Sequence, residues 1–402
     1  MSPHRVLAAT LLVTLISVSG IALPYPILAP LFLEMGHPIS VFYGIPPKLL
    51  LGAILAIYPL GILLGSNVIG AWSDRAGRRK VLQWTMLGTT LGYALSAWAV
   101  SRGDFALFAL SRLLTGVCEG NLSVARAIAA DLHPKIDRTR AFSLLSATTY
   151  AGYLVGPVVG GLLLPLGASV AFWVGAGACL VAVGVISLSL PRDKPVAKPG
   201  GGRHSLALVA DPKIRPFFGL YLLLMLATNG FYEFYPVWLV EYRGFDSIAI
   251  AQATVLLTSA MILVATTASM VLKRRLGLAP SALLGMGLFS LALALLPLGG
   301  GHYVLPFIAM GAGIAIYNAM LPTYLAERGG DHGQGQLMGL MTTTFCLGNV
   351  LMALGGSVLA LLDTRYVLSL SGLLGLAAAW QFSRHHYRLN TWPAPAQAEG
   401  QS

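Results

Sequence analysis

Four charged residues in this 402-residue chain stand where charge is most costly, inside long apolar stretches. Arg112, Glu119 and Arg126 lie in one stretch at intervals of seven, and Glu233 lies in another, within the aromatic run NGFYEFYPVW. Seven residues turn a helix through about 700°, so successive members drift by only about 20° and share one face. Two kinds of chemistry fit such groups: a carboxyl that binds and releases a proton, and a charge that pairs with a charged compound. A plain ion-pair ladder, with Arg112 and Arg126 reaching towards the helix ends, fits the first three equally. Asn229, Tyr232, Glu233 and Pro236 follow i, i+3, i+4, i+7, a single helical face. Glu233 on that face is either a proton carrier among aromatics or a group near the end of its segment that faces water. No nucleophile–base pair, metal-ligand cluster or GxxxxGK[ST] phosphate loop accompanies these residues. An enzyme is therefore not expected, and neither is a cofactor, a bound metal or ATP as an energy source within the chain.

The elements that must hold these charges follow from composition. The chain is 56% hydrophobic, with mean hydropathy +0.74 and only 10% charged residues. A typical soluble domain carries roughly 25%. So few charges cannot cover a water-facing surface of this size, and an integral membrane protein in contact with a lipid bilayer is expected. Its net charge of +11 could suggest a nucleic-acid partner. The basic residues instead sit in short clusters between apolar runs, with no aromatic-interleaved basic groove, so nucleic acid is excluded. Cys118, Cys179 and Cys346 all fall in apolar stretches and read as small buried hydrophobes.

A spanning helix needs about 20 mainly apolar residues. Twelve segments meet that rule, at about 6–33, 47–69, 81–101, 105–131, 141–165, 168–190, 217–240, 248–272, 279–298, 302–326, 336–361 and 364–383. The fold class expected is an all-α membrane protein. With the N-terminus inside, twenty of the 26 Lys and Arg face the cytoplasm and four face out, which puts both termini in the cytoplasm. The stretch 191–216, containing PRDKPVAKPGGGRH, has no apolar run and divides the segments six from six. It reads as a linker between an N-terminal bundle, 1–190, and a C-terminal bundle, 217–384, with a tail at 385–402.

The two halves look related. RAFSLLSATTYAG (140–152) aligns with QLMGLMTTTFCLG (336–348), and Tyr25-Pro26 recurs as Tyr235-Pro236. The loop DRAGRR has a worn counterpart in KRRLG. Duplicated six-helix halves are the usual build of secondary transporters. The residues between the second and third segments, GAWSDRAGRRKVL, hold more than a topology signal. Arg75, Arg78, Arg79 and Lys80 suit the cytoplasmic face, but Asp74 and the glycines Gly70 and Gly77 are not explained by topology. A carboxylate near a helix start suits the positive end of the helix dipole, and Gly77 permits a tight turn. In the fifth segment Gly152, Gly156, Gly160 and Gly161 form a small-residue face for close packing, beside Pro157.

On these residues the chain resembles the major facilitator superfamily, over residues 5 to 384. Gly70-(x3)-Asp74-Arg75-x-Gly77-Arg78-Arg79-Lys80 matches the family's first loop motif at every defined position. Arg112-(x3)-Gly116 is similar to its second motif, and Gly152-(x3)-Gly156-Pro157-(x2)-Gly160-Gly161 to the motif of drug:proton antiporters. The stretch 125–157 also resembles the tetracycline-efflux proteins. The resemblance implies two pseudo-symmetric six-helix bundles and a monomeric, multi-pass protein of the cell inner (cytoplasmic) membrane. It implies proton-coupled efflux of a small organic compound, such as a drug, by alternating access. It also implies that Asp74, Arg78 and an acid ending the fourth segment, here Asp131, form a cytoplasmic latch between the halves, and that Arg112 takes part in proton coupling. Glu119 has no motif role. One departure matters: many multidrug antiporters carry an acid midway along the first segment, where this chain reads ISVSGIALPYP. That moves weight from cationic drugs towards neutral, zwitterionic or anionic compounds, and keeps open a proton-coupled importer of an anionic metabolite or siderophore-like compound. Gln252, Tyr317, Asn318, Thr343 and Asn349 are candidates, with Asn229 and Tyr232, to line a cavity.

Overall fold

A computed structural model describes residues 2–119, 121–132, 134–191, 209, 211–212, 214–299, 302–328 and 334–389. Among the described residues there are fourteen α-helices and no strand. They are α1 (Pro3–Ala22), α2 (Tyr25–Leu33), α3 (Pro47–Ala76), α4 (Arg78–Arg102), α5 (Phe105–Val117), α6 (Asn121–Asp131), α7 (Arg138–Leu163) and α8 (Ala168–Ser189), then α9 (Arg215–Arg243), α10 (Ser247–Leu276), α11 (Leu278–Leu295), α12 (Val304–Arg328), α13 (Gln334–Ala360) and α14 (Thr364–Ser383). Most of the expected linker and the tail from residue 390 lie outside the described residues.

The expected twelve segments map onto these helices in order, two of them broken. Residues 6–33 form α1 and α2, with Leu23 and Pro24 between them. Pro24 and Pro26 contribute no N–H, so the ladder lapses there for want of donors. The fourth segment is α5 and α6, interrupted around Glu119 in a stretch that holds two residues of low helix propensity, Gly116 and Gly120. Among the described residues, ten helical stretches are long and apolar enough to cross a bilayer, α1 and α2 together forming one. The remaining two expected segments are α4, whose first turns carry Arg78, Arg79, Lys80 and Gln83, and the broken α5–α6 pair.

The chain forms two compact units, Met1–Pro199 with Leu239–Val255, and Gly200–Trp238 with Leu256–Ser402. The end of α9 and the start of α10 thus group with the first unit, not with the rest of their helices. Lys48 Nζ lies 2.6 Å from Glu241 Oε1, and Ser247 Oγ donates to the Gly161 carbonyl at 3.0 Å. Within the first unit α4 packs on α5 and α8; within the second, α11 packs on α12 and α14. These are the same pairings of third with fourth and sixth segments in each half, as a duplicated chain requires. Gly77 separates α3 from α4 at φ 92°, and Gly277 separates α10 from α11 at φ 86°. A left-handed single-residue link of this kind admits glycine far more readily than a residue with a Cβ.

The glycines of α7 have a specific use. Gly152 lies against the Val18 side chain, Gly156 against the Ser19 carbonyl and Gly160 against the Leu23 carbonyl, all in or just after α1. A Cβ on Gly156 or Gly160 would overlap backbone, which cannot swing aside as a flexible side chain can. A Cβ on Gly161 would come 2.6 Å from Ala251 Cβ and 2.7 Å from the Ser247 carbonyl. α7 runs helical through Pro157. Gly156→Val is expected to cost about 1–3 kcal/mol, as overpacking does. A lower unfolding midpoint in detergent measures it; an unchanged midpoint would contradict this close approach.

Candidate functional site

Glu119 sits at the interruption between α5 and α6, and α1 supplies its donor. Ser17 Oγ donates to Glu119 Oε1. The hydroxyl is itself held, since Asn121 Nδ2 donates to Ser17 Oγ at 3.3 Å and Thr85 Oγ1 donates to Asn121 Oδ1 at 2.6 Å. A chain of polar groups therefore runs from α4 through the start of α6 to α1 and ends on the carboxyl. Breaking the helix at membrane depth is tolerated where the freed groups line a polar interior, and discontinuous helices of this kind are the recurrent setting of transport sites.

Arg112 lies in α5, within two turns of the break, and is 3% exposed. Its guanidinium carbon is 4.6 Å from the Tyr58 ring centroid and 5.8 Å from that of Tyr93. Cation–π attraction from two rings offsets part of the cost of burying the charge. The same charge acts on Glu119. Arg112 Nη1 has no hydrogen-bond partner. The arrangement is a carboxyl that accepts from the Ser17 hydroxyl, a nearby cation held by aromatics, and a guanidinium nitrogen, Nη1, without a partner among the described residues.

Reading Arg112, Glu119 and Arg126 as one helical face needs correction. The helix is interrupted between Val117 and Asn121, so the seven-residue spacing does not carry a common face across it. Arg126 is exposed on α6. Ser17, Tyr58, Tyr93, Thr85 and Asn121 were not among the sequence candidates. Hydroxyls and phenols are common in apolar helices, and only tertiary packing distinguishes these.

In the second unit Glu233 is 4% exposed, and among the described residues neither of its oxygens has a hydrogen-bond partner. It is thus buried, not turned to water. Asn229 Nδ2 donates to the Phe345 carbonyl at 3.1 Å, and Asn349 Nδ2 donates to Asn229 Oδ1 at 3.1 Å. Tyr317 shares a 2.8 Å hydrogen bond with Thr228, and Tyr232 Oη lies 3.6 Å from Met261 Sδ. Gln252 and Asn318 are exposed.

At the loop motif Gly70 and Asp74 belong to α3, and the Asp74 side chain lies outside the described residues. Arg78 Nε donates to Asp131 Oδ2 at 2.7 Å, and Arg79 Nη2 donates to the Ser187 carbonyl at 2.6 Å. Arg75 is exposed. The described contacts of this motif tie α4 to α6 and α8 within the first unit.

The family model described as Major Facilitator Superfamily matches residues 7–353, most of the chain. The chain belongs to that superfamily. It is accordingly a multi-pass membrane transporter of small molecules, not an enzyme. Similar relatives include the class C tetracycline resistance protein of Escherichia coli, 37% identical over 151 residues, covering 36% of this chain and 34% of the relative. The class E protein of the same organism is 32% identical over 158 residues, and again the match spans only about a third of its length, 37%. The class H protein of Pasteurella multocida is 24% identical over 381 residues, 92% of each chain. The crystal structure of the human organic anion transporter MFSD10 (TETRAN) is similar in fold, with TM-score 0.66 at 20% identity, over 95% of this transporter and all of that chain. That of the nucleoside transporter NupG gives 0.72 at 16% identity, over 94% of this chain and 99% of that one. Structural neighbours this distant in sequence show the fold alone.

The Arg78–Asp131 pair has a partly buried guanidinium and a carboxylate side chain 62% exposed. A double-mutant cycle with Arg78→Ala and Asp131→Ala is expected to give a coupling of about 0.2–1 kcal/mol, the range of solvent-screened pairs. Coupling of several kcal/mol in thermal unfolding would contradict that solvent-screened character.

Proposed function

We propose that this transporter is a proton-coupled exporter of a small organic compound, working as a monomer by alternating access in the inner membrane. The observation that carries the reading is Glu119, a carboxyl in a broken membrane helix, reached by the Ser17 hydroxyl and by the charge of Arg112. Such a group binds a proton when its surroundings favour the neutral form and releases it when water or a cation stabilises the charge. The change of surroundings would come from two six-helix halves, 1–190 and 217–384, rocking on the linker 191–216 with both termini in the cytoplasm. The α7 glycine motif and the tetracycline-resistance relatives support export. In this reading Asp74 completes a latch begun by Arg78 and Asp131.

A second reading, transport of an anionic metabolite inward with protons, draws on Arg112. Its unpartnered Nη1 could donate to a carboxylate or phosphate of the cargo. Stacking between two tyrosines suits a guanidinium and not an ammonium.

The test uses proteoliposomes with an acidic interior and a panel of small organic compounds beginning with tetracycline. Antiport predicts uptake that a proton ionophore abolishes, and import with protons predicts none. Glu119→Gln should reduce gradient-driven uptake to the level of protein-free liposomes. A panel in which no compound responds to the gradient would sink proton coupling.

A further inference from the structure

We infer that Glu233 is a second proton-carrying site, built into the second unit and separate from Glu119. This rests on the proton-coupled reading but is tested apart from it.

The geometry of α9 separates two faces. Phe231 is 6.1 Å from Phe289 and 5.6 Å from Phe307 between ring centroids, and Tyr235 is 5.5 Å from Phe307. These edge-on contacts fix one side of α9 to α11 and α12. Glu233 is two residues from each ring, roughly 200° around the helix, so it lies on the other side. There it follows Asn229 by one turn. Asn229 is already engaged, giving its N–H to Phe345 of α13 and taking one from Asn349.

Among the described residues, both oxygens of Glu233 and the Oδ1 of Asn349 are buried without a hydrogen-bond partner. Tyr317 of α12 is engaged with Thr228 and Cys346 of α13 is buried, and both are ordinarily neutral. An ionised carboxylate with no donor and no counter-charge at this depth costs several kcal/mol. A protonated carboxyl removes the charge and turns one of its oxygens into an O–H donor.

A metal cation is a poorer occupant, because it asks for six or more oxygens where three are available. An organic ammonium needs volume that a side chain 4% exposed does not offer. A proton needs neither. When the transport cycle wets this face, the proton passes to water and leaves a carboxylate that the same water hydrates. When the face closes, a proton must be taken up again.

Infrared spectroscopy of the purified full-length protein reads this directly, without a cargo. The wild type should display the C=O stretch of a protonated carboxyl at neutral pH. Glu233→Gln should remove that band, and Glu119→Gln should leave it in place. On transfer to heavy water the band should shift, since a working proton site exchanges with solvent. A band that Glu233→Gln leaves in place in a chain that also carries Glu119→Gln would overturn the inference. So would one that never shifts in heavy water, because that describes a sealed structural acid. Should wild-type proteoliposomes lack gradient-driven transport, the proton-coupled function falls, while the infrared result still stands or falls by itself.

Discussion

A carboxyl group placed at membrane depth needs a donor, a proton or water, and the first unit is organised around meeting that need at Glu119. One hydroxyl from α1 reaches it, and that hydroxyl is held by Asn121, which is held in turn by Thr85. The interruption of the fourth segment follows from the same constraint. The carboxyl sits where α5 has ended at Val117 and α6 has not yet begun at Asn121. Arg112 adds the counter-charge, and its own burial relies on the Tyr58 and Tyr93 rings. Removing any one member leaves the others with an unmet polar group in an apolar setting.

Close packing makes the arrangement possible. Ser17 reaches Glu119 only because α1 has a fixed position, and α7 sets that position by lying on its backbone through Gly152, Gly156 and Gly160. The same device recurs where α3 meets α5. Gly61 lies against the Leu113 carbonyl, Gly65 against Val117, and Gly116 against the Tyr58 carbonyl. Tyr58 is thereby brought up to Arg112. In a bilayer, where lipid tails offer apolar side chains as much as a neighbouring helix does, such backbone approaches are the chief source of specific packing. The glycine motif and the polar cluster are therefore one structure seen from two sides.

Much of the fold was legible in the sequence because the physical signals are local. Long apolar runs mark the helices, and Gly77 with its basic neighbours marks a turn that the structure builds at positive φ. The pairing of Arg78 with Asp131, residues 53 apart, came from a family resemblance and not from spacing. The candidate site was legible in part. Charges in apolar stretches announced Arg112, Glu119 and Glu233. Their surroundings did not announce themselves, since Ser17 and Tyr93 look like ordinary helix residues until packing joins them. The seven-residue spacing misled for a related reason. It assumes an unbroken helix, whereas α5 ends at Val117 and α6 begins at Asn121.

Duplication explains the scaffold but not the chemistry. The third-segment helix packs on its fourth and sixth partners in each unit, and Gly77 and Gly277 occupy corresponding links. The acids do not correspond. If Tyr25-Pro26 is aligned with Tyr235-Pro236, Glu233 falls opposite Leu23 and Asn229 opposite Ser19. Glu119 is on the fourth segment, whose counterpart α12 instead carries Tyr317, bonded to Thr228. The first unit thus meets its buried carboxyl with a hydroxyl and a cation, and the second leaves its own without a hydrogen-bond partner among the described residues. Two acids in unlike settings change charge under unlike conditions, even on scaffolds of the same design. A machine with identical halves would have no reason to treat its two sides differently; here the difference lies in single side chains set into a repeated frame.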